Sequence, residues 1–121
     1  MWFDLTAISG KTILSATLTL RRMPGAGTGS NLTANIHGTP ATGASGTPGI
    51  GAKYASVSVA QNASKSVDVT GAVQALADGT IRGLMLYDAR TTNGSGGYTA
   101  GYGKFYGHTS GYRPYLTVTY Q

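Results

Sequence analysis

Few residues in this chain could do chemistry: four aspartates (Asp4, Asp68, Asp78, Asp88), no glutamate, two histidines (His37, His108) and a run of aromatics towards the C-terminal end. Acid–base or glycosidic catalysis needs two carboxylates facing one bond. Asp4 and Asp68 fall in strand patterns, Asp78 follows a helix pattern and Asp88 closes a strand pattern, positions that structure alone explains. Neither histidine sits in a G-x-S-x-G nucleophile elbow, which Gly43-Ala44-Ser45-Gly46 approaches by composition only. Two histidines without a cysteine make a poor zinc set, and calcium is left with Asp88 and loop carbonyls. The expectation is a non-enzyme with no cofactor implied.

Binding chemistry is better supplied. Tyr98, Tyr102, Phe105, Tyr106, Tyr112 and Tyr115 fall within eighteen residues, interleaved with glycines, Lys104, His108 and Arg113. Sugar rings offer apolar C–H faces and hydroxyl edges, and tyrosine meets both. Basic neighbours suit acidic polysaccharides such as uronates or teichoic acids through charge-assisted bonds. Strand alternation places Tyr102, Lys104, Tyr106 and His108 on one face. The candidate ligand-binding set is therefore Tyr98, Tyr102, Lys104, Tyr106 and His108, with Arg90. The same alternation sends about half of such aromatics into a core, so core or subunit packing competes for the cluster. Phe105 and Tyr120 are the members expected to be buried.

Positioning these residues falls to a β framework. Only 11% of the 121 residues are charged, and 19 are glycine. That composition favours strands and turns over helices, and the length suits one domain with a substantial core. With no cysteine, neither disulfides nor thiolate metal sites form. The net charge of +5 comes from nine scattered cations, without a basic run or a nucleic-acid fold signature. No nucleic-acid partner is expected. Nothing has the form of a signal peptide or the length of a membrane span.

The organising stretch is Ser66–Ala77, where Val67 and Val69 show strand period and Thr70 is a good N-cap for a helix over Gly71–Ala77. Val73 and Leu76 give that helix a narrow apolar stripe, enough to close one end of a core. Met1–Leu5 reads as a chain already inside a strand. Thr12–Arg22 alternates, predicting Leu14, Ala16, Leu18 and Leu20 on one face and Ser15, Thr17, Thr19 and Arg21 on the other. Leu32, Ala34 and Ile36 mark the next strand, and Gly38–Ala52 is a long stretch with little to bury, a binding loop or a surface excursion. Strands follow over Tyr54–Ala60, over Ile81–Asp88, apolar enough to be central, and over Tyr115–Tyr120.

Five segments in this order carry a family resemblance: Trp2-Phe3-Asp4-Leu5; Ile13 to Leu20; Val67-Asp68-Val69-Thr70 with Val73 and Leu76; Gly83-Leu84-Met85-Leu86; and Arg113-Pro114-Tyr115-Leu116-Thr117-Val118-Thr119-Tyr120. Together they resemble the DNRLRE-type domains, jelly-roll β-sandwich modules of secreted polysaccharide-active proteins, with similar modules on phage tail proteins. The resemblance implies an all-β, jelly-roll-like antiparallel β-sandwich with one short helix at about 71–77. Members usually carry one or two strands before the phenylalanine-aspartate-leucine segment, so residues 1–121 are expected to form a single domain lacking them. Where the family often carries a tryptophan- and glutamate-rich motif, this chain has the Gly/Ala stretch 38–52.

Two functions follow as expectations. One is a non-catalytic carbohydrate-binding or cell-surface glycan adhesion module of a larger extracellular protein, its partner a polysaccharide or cell-wall glycan and without membrane insertion. The other is a structural or receptor-binding head of a phage tail fibre, located in the virion and assembled as a homotrimer.

Overall fold

The computed structural model describes residues 1, 3–24, 31–40, 50–88, 105–107 and 109–121. Its elements run β1 (Ile13–Arg21), β2 (Asn31–Thr39), β3 (Lys53–Ala60), β4 (Ser64–Asp68), α1 (Thr70–Ala77), β5 (Gly83–Asp88) and β6 (Tyr115–Tyr120). They build two antiparallel three-stranded sheets, β4-β1-β6 and β3-β2-β5. This is the all-β sandwich with one short helix that composition and alternation predict.

The core lies where the inner faces meet. Ala16, Leu18 and Leu20 of β1 face Ala34 and Ile36 of β2, Val57 and Val59 of β3 and Leu84 of β5, all buried. Helix α1 closes one end with Ala72, Val73, Leu76 and Ala77, joined by Val69, Ile8, Ile13 and Ile81. Each Leu, Ile or Val so buried contributes about 1.5–3 kcal/mol, which is why the alternation in β1 and β2 fixes the register so firmly.

Alternation breaks at Leu14. Ile13 pairs with Tyr120 and Ser15 with Thr119, so β1 carries one residue more than β6 at this point. The bulge turns Ile13 into the core and leaves Leu14 53% exposed, against the expectation that Leu14 faces inwards. The Ile13 N–H donates instead to Gln74 Oε1 at 2.8 Å, while Gln74 Nε2 donates to Lys11 O and to Asp78 Oδ1. Beside it, the Ala16 N–H donates to Thr70 Oγ1 and the Val69 N–H to Ala16 O. Helix side chains thus take over the edge of β1 where β4 ends.

The helix start also differs from the expectation. Thr70 is the first helical residue and Val69 the N-cap position, with no side-chain cap bond. Asp68 acts there instead, its Oδ1 accepting from the Thr70 N–H at 2.9 Å. That bond, then one from the Thr70 side chain, holds the Asp68 carboxyl below the usual carboxylate range. Asp4 is lowered in the same way by the Thr6 hydroxyl and then the Thr6 N–H.

Other expectations are corrected by strand order and position. β5 starts at Gly83 and, among the described residues, lies at a sheet edge; the central strand is β2. Beyond β5 the chain start contributes a short contact rather than a strand: the Met1 amino group donates to Leu84 O, and the Leu84 N–H to Met1 O. The stretch beginning at Gly38 is not all loop, because β2 continues to a buried Thr39 and Gly38 pairs with Leu84. Gly38 and Gly51 pack backbone to backbone, and a Cβ on Gly51 would meet Gly38 O at 2.7 Å. Tyr120 is 43% exposed rather than buried, at the end of β6 where it pairs with Ile13 beside the bulge. Phe105, expected to be buried, is half-buried and packs against the core.

Candidate functional site

The outer face of β4-β1-β6 is a lattice of hydroxyls. Register places Ser66, Thr19 and Tyr115 in one row and Asp68, Thr17 and Thr117 in the next, and directly opposite residues share a face. Thr19 Oγ1 and Ser66 Oγ lie 2.8 Å apart. Arg21 comes next along β1, opposite Ser64, at the end of the sheet away from the helix.

Here the turn before β6 folds against the sheet. Thr19, Leu20, Arg21, Ser64, Gly111, Tyr112, Arg113 and Tyr115 line an open cleft of about 330 Å³, at the small end of the usual range for ligand clefts. Tyr112 and Tyr115 are 56% and 54% exposed. The Arg21 guanidinium carbon lies 4.5 Å from the centroid of the Tyr112 ring, a cation–π contact. Arg21 Nη2 donates to Asn62 Oδ1 at 2.9 Å, and Nη1 reaches Ser64 Oγ at 3.5 Å. Tyr106 leans on Tyr112 with centroids 5.1 Å apart and planes at 50°, and its own N–H donates to Arg21 O. Phe105 bridges Arg22 next to it. Arg22 is fully buried, with Nη1 donating to Val59 O across the sandwich, so it belongs to the core rather than to the scattered surface cations.

Of the predicted binding residues, Tyr106 is half-buried at the edge of this cleft. Tyr98, Tyr102, Lys104, His108 and Arg90 lie outside the described residues, as does the shared strand face proposed for four of the set. Sequence reasoning placed Tyr112, Arg113 and Tyr115 in the aromatic cluster without choosing them, and it missed Arg21, Thr19 and Ser64. Alternation did put Arg21 and Thr19 on the polar face. What it lacked was the pairing of β1 with β6, which joins residues from 96 (Thr19 with Tyr115) to 107 (Ile13 with Tyr120) apart in the chain.

The cleft offers flat aromatic surface, hydroxyl donors and acceptors, and two guanidiniums, and no carboxylate lines it among the described residues. Such a set can stack a ring, hydrogen-bond its edges and pair an anion. Among the described residues there is no group of three histidine, cysteine, aspartate or glutamate side chains placed to hold a metal, and no helix long and apolar enough to cross a membrane. His37, at the far end of the other sheet, is held through Nδ1 by Gly51 O and by an edge contact with Tyr87. Compared with protein-family models, curated proteins and solved structures, the chain matches none.

Proposed function

We propose that this chain is a non-catalytic glycan-binding module of DNRLRE type, working as part of an extracellular or virion protein, with the sugar seated in the cleft of β4-β1-β6. The observation that carries the reading is the pair of half-exposed tyrosines, Tyr112 and Tyr115, set beside Arg21, Arg113, Thr19 and Ser64 in one concavity. Aromatic faces left open to water next to hydroxyls and guanidiniums match the mixed apolar and polar surface of a saccharide. The guanidiniums favour glycans that carry carboxylate or phosphate groups. A panel of neutral and acidic polysaccharides tests it: the chain should bind at least one acidic member, and Tyr115→Ala should abolish that binding while leaving the fold intact. Binding to none of the panel overturns the reading.

One observation favours a second reading. Among the described residues, the exposed large apolar side chains Leu14, Tyr112, Tyr115 and Tyr120 all belong to β1, β6 or the turn leading into β6, with Ile50 alone elsewhere. A subunit interface in a homotrimeric fibre head would claim part of this sheet. Light scattering separates the two: a monomer leaves the face to ligand, whereas a stable trimer assigns part of it to assembly.

A further inference from the structure

We propose that Asn62, in the turn between β3 and β4 and outside the cleft lining, is a positioning residue for ligand binding; this rests on the glycan reading of the cleft. Asn62 has φ +53°, a left-handed conformation that asparagine and glycine adopt more readily than other residues. That turn carries the chain from one sheet to the other and aims Oδ1 at the Arg21 guanidinium, which it meets at 2.9 Å. Ser64 lies 3.5 Å from the neighbouring guanidinium nitrogen. So tethered, Arg21 sits over one face of Tyr112 at 4.5 Å, while Tyr106 supports the ring at 5.1 Å. The Tyr112 backbone is fixed as well, its N–H donating to Ser110 Oγ at 3.0 Å.

The chain of contacts runs from Asn62 through Arg21 to Tyr112. Without Oδ1 the long arginine side chain regains its rotamers, and an exposed ring loses the cation that sets its tilt. A ring ordered before the ligand arrives leaves less entropy to lose on binding. Asn62 thereby sets the affinity of a cleft it does not line.

The test compares Asn62→Gly, which keeps the left-handed turn and removes the acceptor, with Asn62→Asp, which keeps both turn and acceptor. Fluorine NMR of 3-fluorotyrosine-labelled protein follows Tyr112, its resonance assigned by its loss in Tyr112→Phe. Calorimetric titration with the polysaccharides of the panel gives affinity. In Asn62→Gly the Tyr112 resonance should move towards that of free fluorotyrosine and affinity should fall about two- to ten-fold, the cost of ordering one side chain on binding. Asn62→Asp should restore the Tyr112 resonance. A wild type that binds no polysaccharide sinks the glycan reading and this role with it. A wild type that binds while Asn62→Gly binds equally well and keeps its Tyr112 resonance sinks the positioning role alone. So does an Asn62→Asp variant whose Tyr112 resonance moves as far as in Asn62→Gly, because the acceptor would then be present without holding the ring.

Discussion

The outer faces of the two sheets share an alphabet of Ser, Thr and Asn and pair hydroxyls in the same way, Thr19 with Ser66 and Thr33 with Ser58, but β4-β1-β6 adds open aromatic surface. On β3-β2-β5 the polar groups are spent on one another: Thr33 Oγ1 and Ser58 Oγ lie 2.5 Å apart, the Ser56 hydroxyl donates to Asn35 Oδ1 at 2.6 Å, and Asn35 is only 5% exposed although it points away from the core. On β4-β1-β6 the hydroxyl rows run out into a cleft where two tyrosine rings stand more than half exposed. A face whose polar groups satisfy one another stabilises the fold, whereas a face that adds unused aromatic surface is available to a ligand. Substitutions should therefore separate stability from binding according to the face they touch.

The largest effect should come from the core that both faces rest on. Leu18→Ala and Ile36→Ala empty equivalent places on the two inner faces, both fully buried. Each should cost about 2–5 kcal/mol in denaturant unfolding. A markedly smaller loss at either would mean that its sheet is less firmly docked.

Next comes the closed face. Asn35→Ala removes the acceptor of the Ser56 hydroxyl and should cost about 1–3 kcal/mol, with polysaccharide affinity unchanged once the variant is folded. Gln74→Ala, which orphans the Ile13 N–H at the bulge, should lose stability by a similar amount, about 1–3 kcal/mol. The cleft should show the converse. Tyr115→Ala ought to unfold within about 0.5 kcal/mol of the wild type and yet lose ligand, and a large stability loss there would erase the contrast between the faces.

The smallest expected effect is a pH dependence. Asp4 and Asp68 both have folded-state carboxyls held below their unfolded values by bonds to Thr6 and Thr70. Their contribution is present above the unfolded carboxylate pKa, about 4, and is lost as pH falls through the lowered folded value. Thermal midpoints should thus be level from neutral pH down to about pH 4.5 and fall below about pH 4. Asp4→Asn with Asp68→Asn should shrink that fall. An unchanged acid limb would assign the loss to other groups.

Much of the fold is legible in the sequence because burial on one face of a strand leaves a period of two. Leu18, Leu20, Leu32, Ala34, Ile36, Val57 and Val59 all follow it into the core. Leu14 does not, since a bulge is fixed by pairing with β6 and by the capture of a freed N–H by Gln74, neither of which leaves a local trace. Thr70 looks like a cap because its type suits one, yet its hydroxyl is drawn to the Ala16 N–H and Asp68 holds the helix start. The site was legible in kind, as tyrosine with basic neighbours, and less so in place. Arg21 and Tyr112 are 91 residues apart in the chain, with the guanidinium carbon 4.5 Å from the ring centroid, and nothing in either segment announces the other.

The most direct test of the central claim is affinity electrophoresis of the wild type and the Tyr112→Ala/Tyr115→Ala double variant through gels holding a neutral glucan or a polyuronate. The expected result is a wild type slowed by the polyuronate and a folded double variant that migrates as it does in an empty gel. A double variant slowed as much as the wild type, or a wild type that neither gel slows, would contradict the assignment of the cleft as the glycan site.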